Sequence, residues 1–225
     1  MSEKQSQSTV SQHYGGEGAT EYFDYQVTDV RRNNWVSMRF FASFLSPTDD
    51  VVDYGCGTGW LLKQLDVGSR LGVEPNPNSR GVAAEIGVPT VAASSDVPDA
   101  SADVVISNHA LEHSLDPLRE LKEIRRIVRS GGKVVICLPI DDWRKQKGPD
   151  PSDPNHHLFT WTPLLISNLL GEAGLNVLEA RGFSYLQPPP NWRLDWLPVP
   201  LFNAVAKLHG KFFRYHQLVA VAEPV

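Results

Sequence analysis

Two cysteines in 225 residues, no long block of lysine and arginine, and no apolar run long enough to span a bilayer each remove a class of protein. Small secreted folds are stapled by disulfides, whereas Cys56 and Cys137 both fall in or beside expected strands, and a chain of this length can bury a core without staples. A reducing, cytoplasmic setting is therefore expected. The net charge of -5 argues against a nonspecific grip on a nucleic-acid backbone, so a small-molecule partner fits better and no nucleic acid is expected. The polar stretch Met1 to Thr9 lacks the apolar core of a secretion signal. Nor is there the cysteine and histidine spacing of a structural zinc site, and no metal is expected.

What is present is a glycine turn hung on a short apolar strand, Val51-Val52-Asp53-Tyr54-Gly55-Cys56-Gly57-Thr58-Gly59, followed by Leu61, Leu62 and Leu65 at helical spacing. Glycine enters tightly bent conformations and lets another molecule approach the backbone. Three glycines at alternating positions after a strand suit a loop shaped around a ligand, although a plain structural turn has the same letters. The next acidic landmark is Glu74, at the end of Leu71-Gly72-Val73-Glu74 and held extended by Pro75. A carboxylate at the end of a second strand can accept both hydroxyls of a ribose, which points to an adenosine-type cofactor. A dinucleotide fingerprint needs glycine where this chain has Trp60, and no Gly-Lys-Ser/Thr ending marks a Walker loop.

Along the chain, residues 1–18 read as a mobile Ser, Gln and Gly tail, and 19–225 as a single domain. A helical cap is expected over 19–45, with Trp35, Met38, Phe41 and Leu45 on one face of a helix at 29–45. Strands near 51–53, 70–74, 90–92, 103–107, 133–138, 177–180 and 215–222 alternate with helices near 61–65, 79–86, 117–128 and from Pro163 to Gly171 or Gly174, the pattern of an α/β domain. Asp116-Pro117 reads as a helix cap, and Ser130-Gly131-Gly132 as that helix's end. Arg125, Arg126 and Arg129 read as surface and dipole compensation. The aromatic and proline-rich stretch at about 183–214 reads as a substrate-side or interface excursion. Trp192, Trp196 and Phe202 there suit a lid, a homodimer surface or a peripheral membrane patch beside Lys207, Lys211 and Arg214.

These motifs resemble the class I S-adenosylmethionine-dependent methyltransferases. The likeness rests on Val51 to Gly59, on Gly72 to Pro75, on Asp103 to Leu111 with Glu112-His113, and on Ser130 to Leu138. It implies a Rossmann-like, seven-stranded, mostly parallel sheet flanked by helices, with the last strand antiparallel. It also implies S-adenosylmethionine as cofactor and S-adenosylhomocysteine as product. By the same resemblance Asp53 supports the methionine amino group, Gly55, Cys56, Gly57 and Gly59 shape the loop, and Glu74 binds ribose. Ser95, Asp96 and Val97 fall where adenine is contacted, Asn108 and His109 on the methionine side.

The implied reaction is methyl transfer to a small-molecule nucleophile, an oxygen or a nitrogen. Alignment of the reacting atoms lowers that barrier, and a base is needed only if the acceptor is protonated. His113 and His157 are the candidate catalytic histidines, while Tyr14, Tyr22, His156 and His157 are candidates for the substrate side. The pair His156-His157 lacks spaced carboxylate partners and reads as loop rather than metal site. The alternative from a different class is a noncatalytic S-adenosylmethionine-binding or complex-scaffold protein.

Overall fold

A computed structural model describes residues 40–142, 144, 148–150, 153, 156–186, 188, 194 and 196–225. The expected tail, Tyr14, Tyr22, Trp35, Met38 and Trp192 lie outside the described residues. Of the helix expected over 29–45, Phe40 and Phe41 are described as helical and lead into a 3-10 turn at Ala42–Phe44.

The strands are β1 (Asp50–Tyr54), β2 (Ser69–Val73), β3 (Thr90–Val91), β4 (Ala102–Asn108), β5 (Val128–Ile140), β6 (Leu175–Ser184) and β7 (His216–Pro224). Between them run α1 (Trp60–Gln64), α2 (Pro77–Glu85), α3 (Pro117–Ile127), α4 (Pro163–Glu172) and α5 (Val199–Phe212). The sheet has the order β3-β2-β1-β4-β5-β7-β6. The pairs among β1 to β5 are parallel, whereas β7 runs antiparallel to both β5 and β6. This is the fold class expected from the sequence.

Side chains that alternate along each strand feed two cores, one on each face of the sheet. On one face Val52, Val105, Val134, Ile136 and Leu138 pack with Leu121, Ile124 and Ile127 of α3 and Ile166 and Leu170 of α4. On the other, Val51, Val104, Ile106, Val135 and Cys137 pack with Leu61 and Leu62 of α1, Ala83 of α2, and Phe41. Each such aliphatic side chain contributes about 1.5–3 kcal/mol by leaving water, so the two faces hold the sheet as the middle layer of three. The helices begin where their caps stand. Asn76, Asp116 and Thr162 each accept a backbone N–H of the first turn, and each is followed by a proline.

Two expectations change. Ser130-Gly131-Gly132 does not end α3, because Val128 is already extended and the glycines lie inside β5. A β-carbon on Gly132 would lie 2.6 Å from the Asp103 carbonyl oxygen, so glycine here lets β5 pass close to β4 where their register shifts. The stretch over 183–214 is also more regular than a loose excursion. Phe183 and Ser184 finish β6, and α5 starts with Pro200 in its first turn, where proline's missing N–H leaves no bond unmade. Phe202, Ala206 and Gly210 form its buried stripe, with Leu201, Leu208 and Phe212 exposed. The Ala206 carbonyl accepts the Leu186 N–H at 3.1 Å.

Candidate functional site

Strand order reverses between β1 and β4, and in open α/β sheets a crevice for ligands forms outside the carboxyl ends of the strands at such a point. The residues at these strand ends therefore border it: Tyr54 and Gly55 at the end of β1, Glu74 after β2, Asn108 and His109 at the end of β4, Asp141 after β5.

The β1 turn is fixed by its neighbour strand. The N–H groups of Gly55 and Cys56 both donate to the Val73 carbonyl, at 2.9 and 3.1 Å, which folds the chain back over the end of β2. Gly55 takes φ +78°, and a β-carbon there would sit 2.3 Å from the Ala110 β-carbon, so glycine is required twice over. The loop is braced by Glu74, whose carboxylate accepts the Gly57 N–H at 2.9 Å and the Asn76 N–H at 2.8 Å. Each carboxylate oxygen has a second lone pair, so these bonds leave acceptor capacity. Burial pushes the Glu74 pKa up, while its backbone donors and Arg80 pull it down.

Asp53 lies inside the turn, 1% exposed, and its Oδ1 has no hydrogen-bond partner among the described residues. Burial, with the charge of Glu74 added, raises its pKa to about 8. A buried carboxylate held this way favours either a proton or an incoming cationic group. The glycine cradle, the orphaned Asp53 oxygen and the spare lone pairs of Glu74 together fit a ligand with an amino group and vicinal hydroxyls.

Cys56 is buried, with Sγ 3.6 Å from the Gly57 carbonyl oxygen, and burial drives its thiol pKa up. Ser95 and Asp96 are exposed in the 3-10 turn Ser94–Asp96 after β3, where Asp96 accepts the Ala93 N–H. Val97 is buried in the core beside them. Arg126 clamps this loop, donating to the carbonyls of Ser94 and Val97 and to Asp99. Arg129 bridges Asp50 and Asp103, and Arg125 donates to the carbonyls of Gly174 and Val225. The arginine run thus ties loops and strand ends to the domain.

On the far side of the crevice, segments distant in sequence meet. His109 follows β4 in a left-handed conformation, φ +54°, with its N–H on the Cys137 carbonyl at 2.9 Å. A 3-10 turn, Leu111–His113, then carries Glu112 and His113. The Glu112 carbonyl accepts the N–H groups of Leu158 and Phe159, at 2.9 and 3.3 Å, which pins the 156–160 segment beside the turn. His157 is held by Asp141, Nδ1 to Oδ2 at 2.9 Å, and its ring meets the His113 ring at 5.0 Å between centroids.

Electrostatics on this side are set by Glu112. It is fully buried, with His109 Nδ1 3.6 Å and His113 Nε2 3.9 Å from its Oε1, and burial raises its pKa to about 7. Burial acts to lower the pKa of His157, but the hydrogen bond and charge of Asp141 outweigh it and the net shift is upward. Burial lowers His109 to about 4. His156 stands apart in role, its N–H donating to Asp153 at 3.2 Å.

The structure therefore joins Asp53, the glycines and Glu74 on one side, and His109, His113 and His157 on the other. Sequence reasoning did not single out Glu112 or Asp141 as site residues. The signal was their place beyond the ends of β4 and β5, Asp141 directly after β5 and Glu112 in the turn that follows β4, where a parallel sheet presents its ligand groups.

A family model described as a methyltransferase domain matches residues 31–180. The chain is 30% identical over 141 residues to ribosomal protein L11 methyltransferase of Cupriavidus taiwanensis, an alignment covering 49% of this chain and 45% of that one, so it spans less than half the relative's length. Among solved structures it resembles a chain of the complex between the Haloferax volcanii Trm112 methyltransferase activator and its methyltransferase, with TM-score 0.67, 18% identity, and 91% and 97% of the two chains covered. It likewise resembles Haemonchus contortus phosphoethanolamine N-methyltransferase 2 in complex with S-adenosyl-L-methionine, with TM-score 0.65, 16% identity, and 98% and 61% covered. At such identities the structural likenesses speak for the fold.

Proposed function

This chain belongs to the methyltransferase-domain family, and from that membership we propose that it uses S-adenosylmethionine to methylate an oxygen or nitrogen of a small molecule. The observation that carries this reading is the β1 turn: a glycine cradle, the buried carboxylate of Asp53 whose Oδ1 has no hydrogen-bond partner among the described residues, and a strand-end acceptor, Glu74. When bound, the cofactor supplies an electrophilic methyl group on a sulfonium. Asp53 takes the methionine amino group, Gly55, Cys56, Gly57 and Gly59 shape the loop, and Glu74 accepts the ribose hydroxyls. Ser95, Asp96 and the backbone of Val97 border adenine, with Asn108 and His109 on the methionine side.

His113 and His157 stand on the acceptor side, where Asp141 orients the His157 ring for contact with substrate. Orientation of the acceptor lowers the barrier of such a transfer by several kcal/mol. A small acceptor is supported by the charge: net -5, with Arg126 and Arg129 engaged in internal ion pairs rather than forming a phosphate-binding stripe. Titration calorimetry with S-adenosylmethionine and S-adenosylhomocysteine tests the cofactor claim, and a folded protein that binds neither would refute it. Incubating cell metabolites with a labelled methyl donor tests the transfer; cofactor binding without any labelled product favours the scaffold alternative.

For association, the exposed stripe Leu201, Leu208 and Phe212 of α5, beside Lys207 and Lys211, supports peripheral contact with an anionic lipid surface. Among the described residues no helix is long and apolar enough to cross a membrane. Flotation with anionic vesicles is the measurement; a dimer in sedimentation without flotation would assign the stripe to a second copy instead.

A further inference from the structure

Glu112 poses a problem that the cofactor does not solve. Its side chain is fully buried, and neither carboxylate oxygen has a hydrogen-bond partner among the described residues. A charged group left this way costs several kcal/mol, so it needs a proton or a cation. Among the described residues, the basic groups within 4.0 Å of its Oε1 are the imidazoles of His109, at 3.6 Å, and His113, at 3.9 Å. One ligand atom from each of Glu112, His113 and His157 lies within 4.8 Å of the other two.

We propose that Glu112, His113 and His157 bind a divalent first-row transition-metal ion. The donor set, two imidazoles and one carboxylate, suits Zn²⁺ or its neighbours and not Mg²⁺ or Ca²⁺, which take oxygen ligands. Ligand atoms around a tetrahedral ion stand about 3.3 Å apart, so modest side-chain rotations close the set around it. The surroundings are those of a metal site. His157 Nδ1 is held by Asp141 at 2.9 Å, which leaves Nε2 as the ligating nitrogen and fixes its direction, the carboxylate–histidine arrangement that orients metal ligands. The segment bearing His157 is itself tied to Glu112 through the backbone bonds from Leu158 and Phe159. Two pieces of chain thus supply the ligands and a third, the end of β5, orients one of them, so the site is completed by the fold.

Three protein ligands leave coordination positions for an oxygen of the acceptor, whose pKa the ion would lower. That consequence rests on the proposed methyl transfer; ion binding does not. The test uses the full chain, freed of tags and treated with chelator, titrated with Co²⁺ by visible absorption and with Zn²⁺ by calorimetry. One ion per chain is expected, with affinity falling about 100-fold in Glu112→Gln and in His157→Ala, and about tenfold in Asp141→Asn. His157 lies in an irregular segment, so its variant keeps the test open if Glu112→Gln fails to fold. Absence of saturable binding, or binding unchanged in both ligand variants, overturns the proposal. S-adenosylmethionine titrated in parallel separates the two claims: ion without cofactor binding sinks only the methyl-transfer reading, and cofactor without ion binding sinks only the metal site.

Discussion

The two sides of the crevice are built differently. The glycine-turn side is one β-α-β unit, β1 to β2, in which the turn is held by backbone hydrogen bonds and Glu74 is already bonded to two N–H groups. The histidine side draws Glu112 and His113, Asp141 and His157 from separate segments, and among the described residues its central carboxylate has no hydrogen-bond partner. The first side is a preformed cradle; the second is a cluster of titratable groups around a buried carboxylate. The difference teaches that damage to the first should act through geometry, and damage to the second through charge and orientation.

The sharpest break is expected at Gly55. Gly55→Val forces a β-branched residue into φ +78° and places a β-carbon 2.3 Å from that of Ala110. The variant should lose about 2–4 kcal/mol of stability and all calorimetrically detectable cofactor binding. Ala110→Gly in the same chain should recover part of the stability by removing the clash, but not the binding. Recovery of both would mean that the turn's backbone conformation is unimportant.

Asp53→Asn tests the orphaned carboxylate and should divide stability from function. With the folded pKa raised from 3.8 to about 8, the folded protein holds a proton that the unfolded chain has released across that interval. Stability from this group is therefore fully present at the acid end, falls as pH rises from about 4, and levels off above about 8. The asparagine variant should remove that slope, raising the melting midpoint at pH 8.5 relative to wild type by roughly 5 °C, while weakening S-adenosylmethionine binding about tenfold or more. Equal pH profiles in variant and wild type would exclude Asp53 as the titrating group.

Glu74→Ala removes the brace of the Gly57 loop together with the ribose acceptor, so affinity should fall about tenfold. Adenosine should lose as much as the whole cofactor, and methionine nothing, if the carboxylate meets the ribose. Across the crevice, Asp141→Asn should leave cofactor affinity unchanged and lower kcat/KM for a found substrate about tenfold, because the orientation of His157 and the charge beside it are both disturbed. Smallest of all, Leu208→Ser on the exposed stripe should change stability by less than about 0.5 kcal/mol and be visible only in vesicle flotation.

Much of the glycine-turn side was legible in the chain. Val51 to Gly59 and Gly72 to Pro75 are contiguous, and strand alternation plus glycine at a strand end are local signals that survive folding. Helix starts were legible for the same reason: Asp116-Pro117 and Thr162-Pro163 satisfy their own first turns. Ser130-Gly131-Gly132 misled because glycine after a helical run has two uses, helix stop and close strand approach, and only the Asp103 carbonyl across β4 decides between them. Helix α5 was hidden by prolines that turn out to precede it or stand in its first turn.

By itself, then, the sequence determined the α/β alternation and the position of the glycine turn, both of which follow from periodicity and short-range backbone preference. His156 and His157, adjacent in sequence, stood as substrate-side candidates with no partner that the sequence could name. Only the tertiary structure carried His157 to Asp141 and set it beside Glu112 and His113, because the backbone bonds that pin the segment span sequence separations no local pattern encodes.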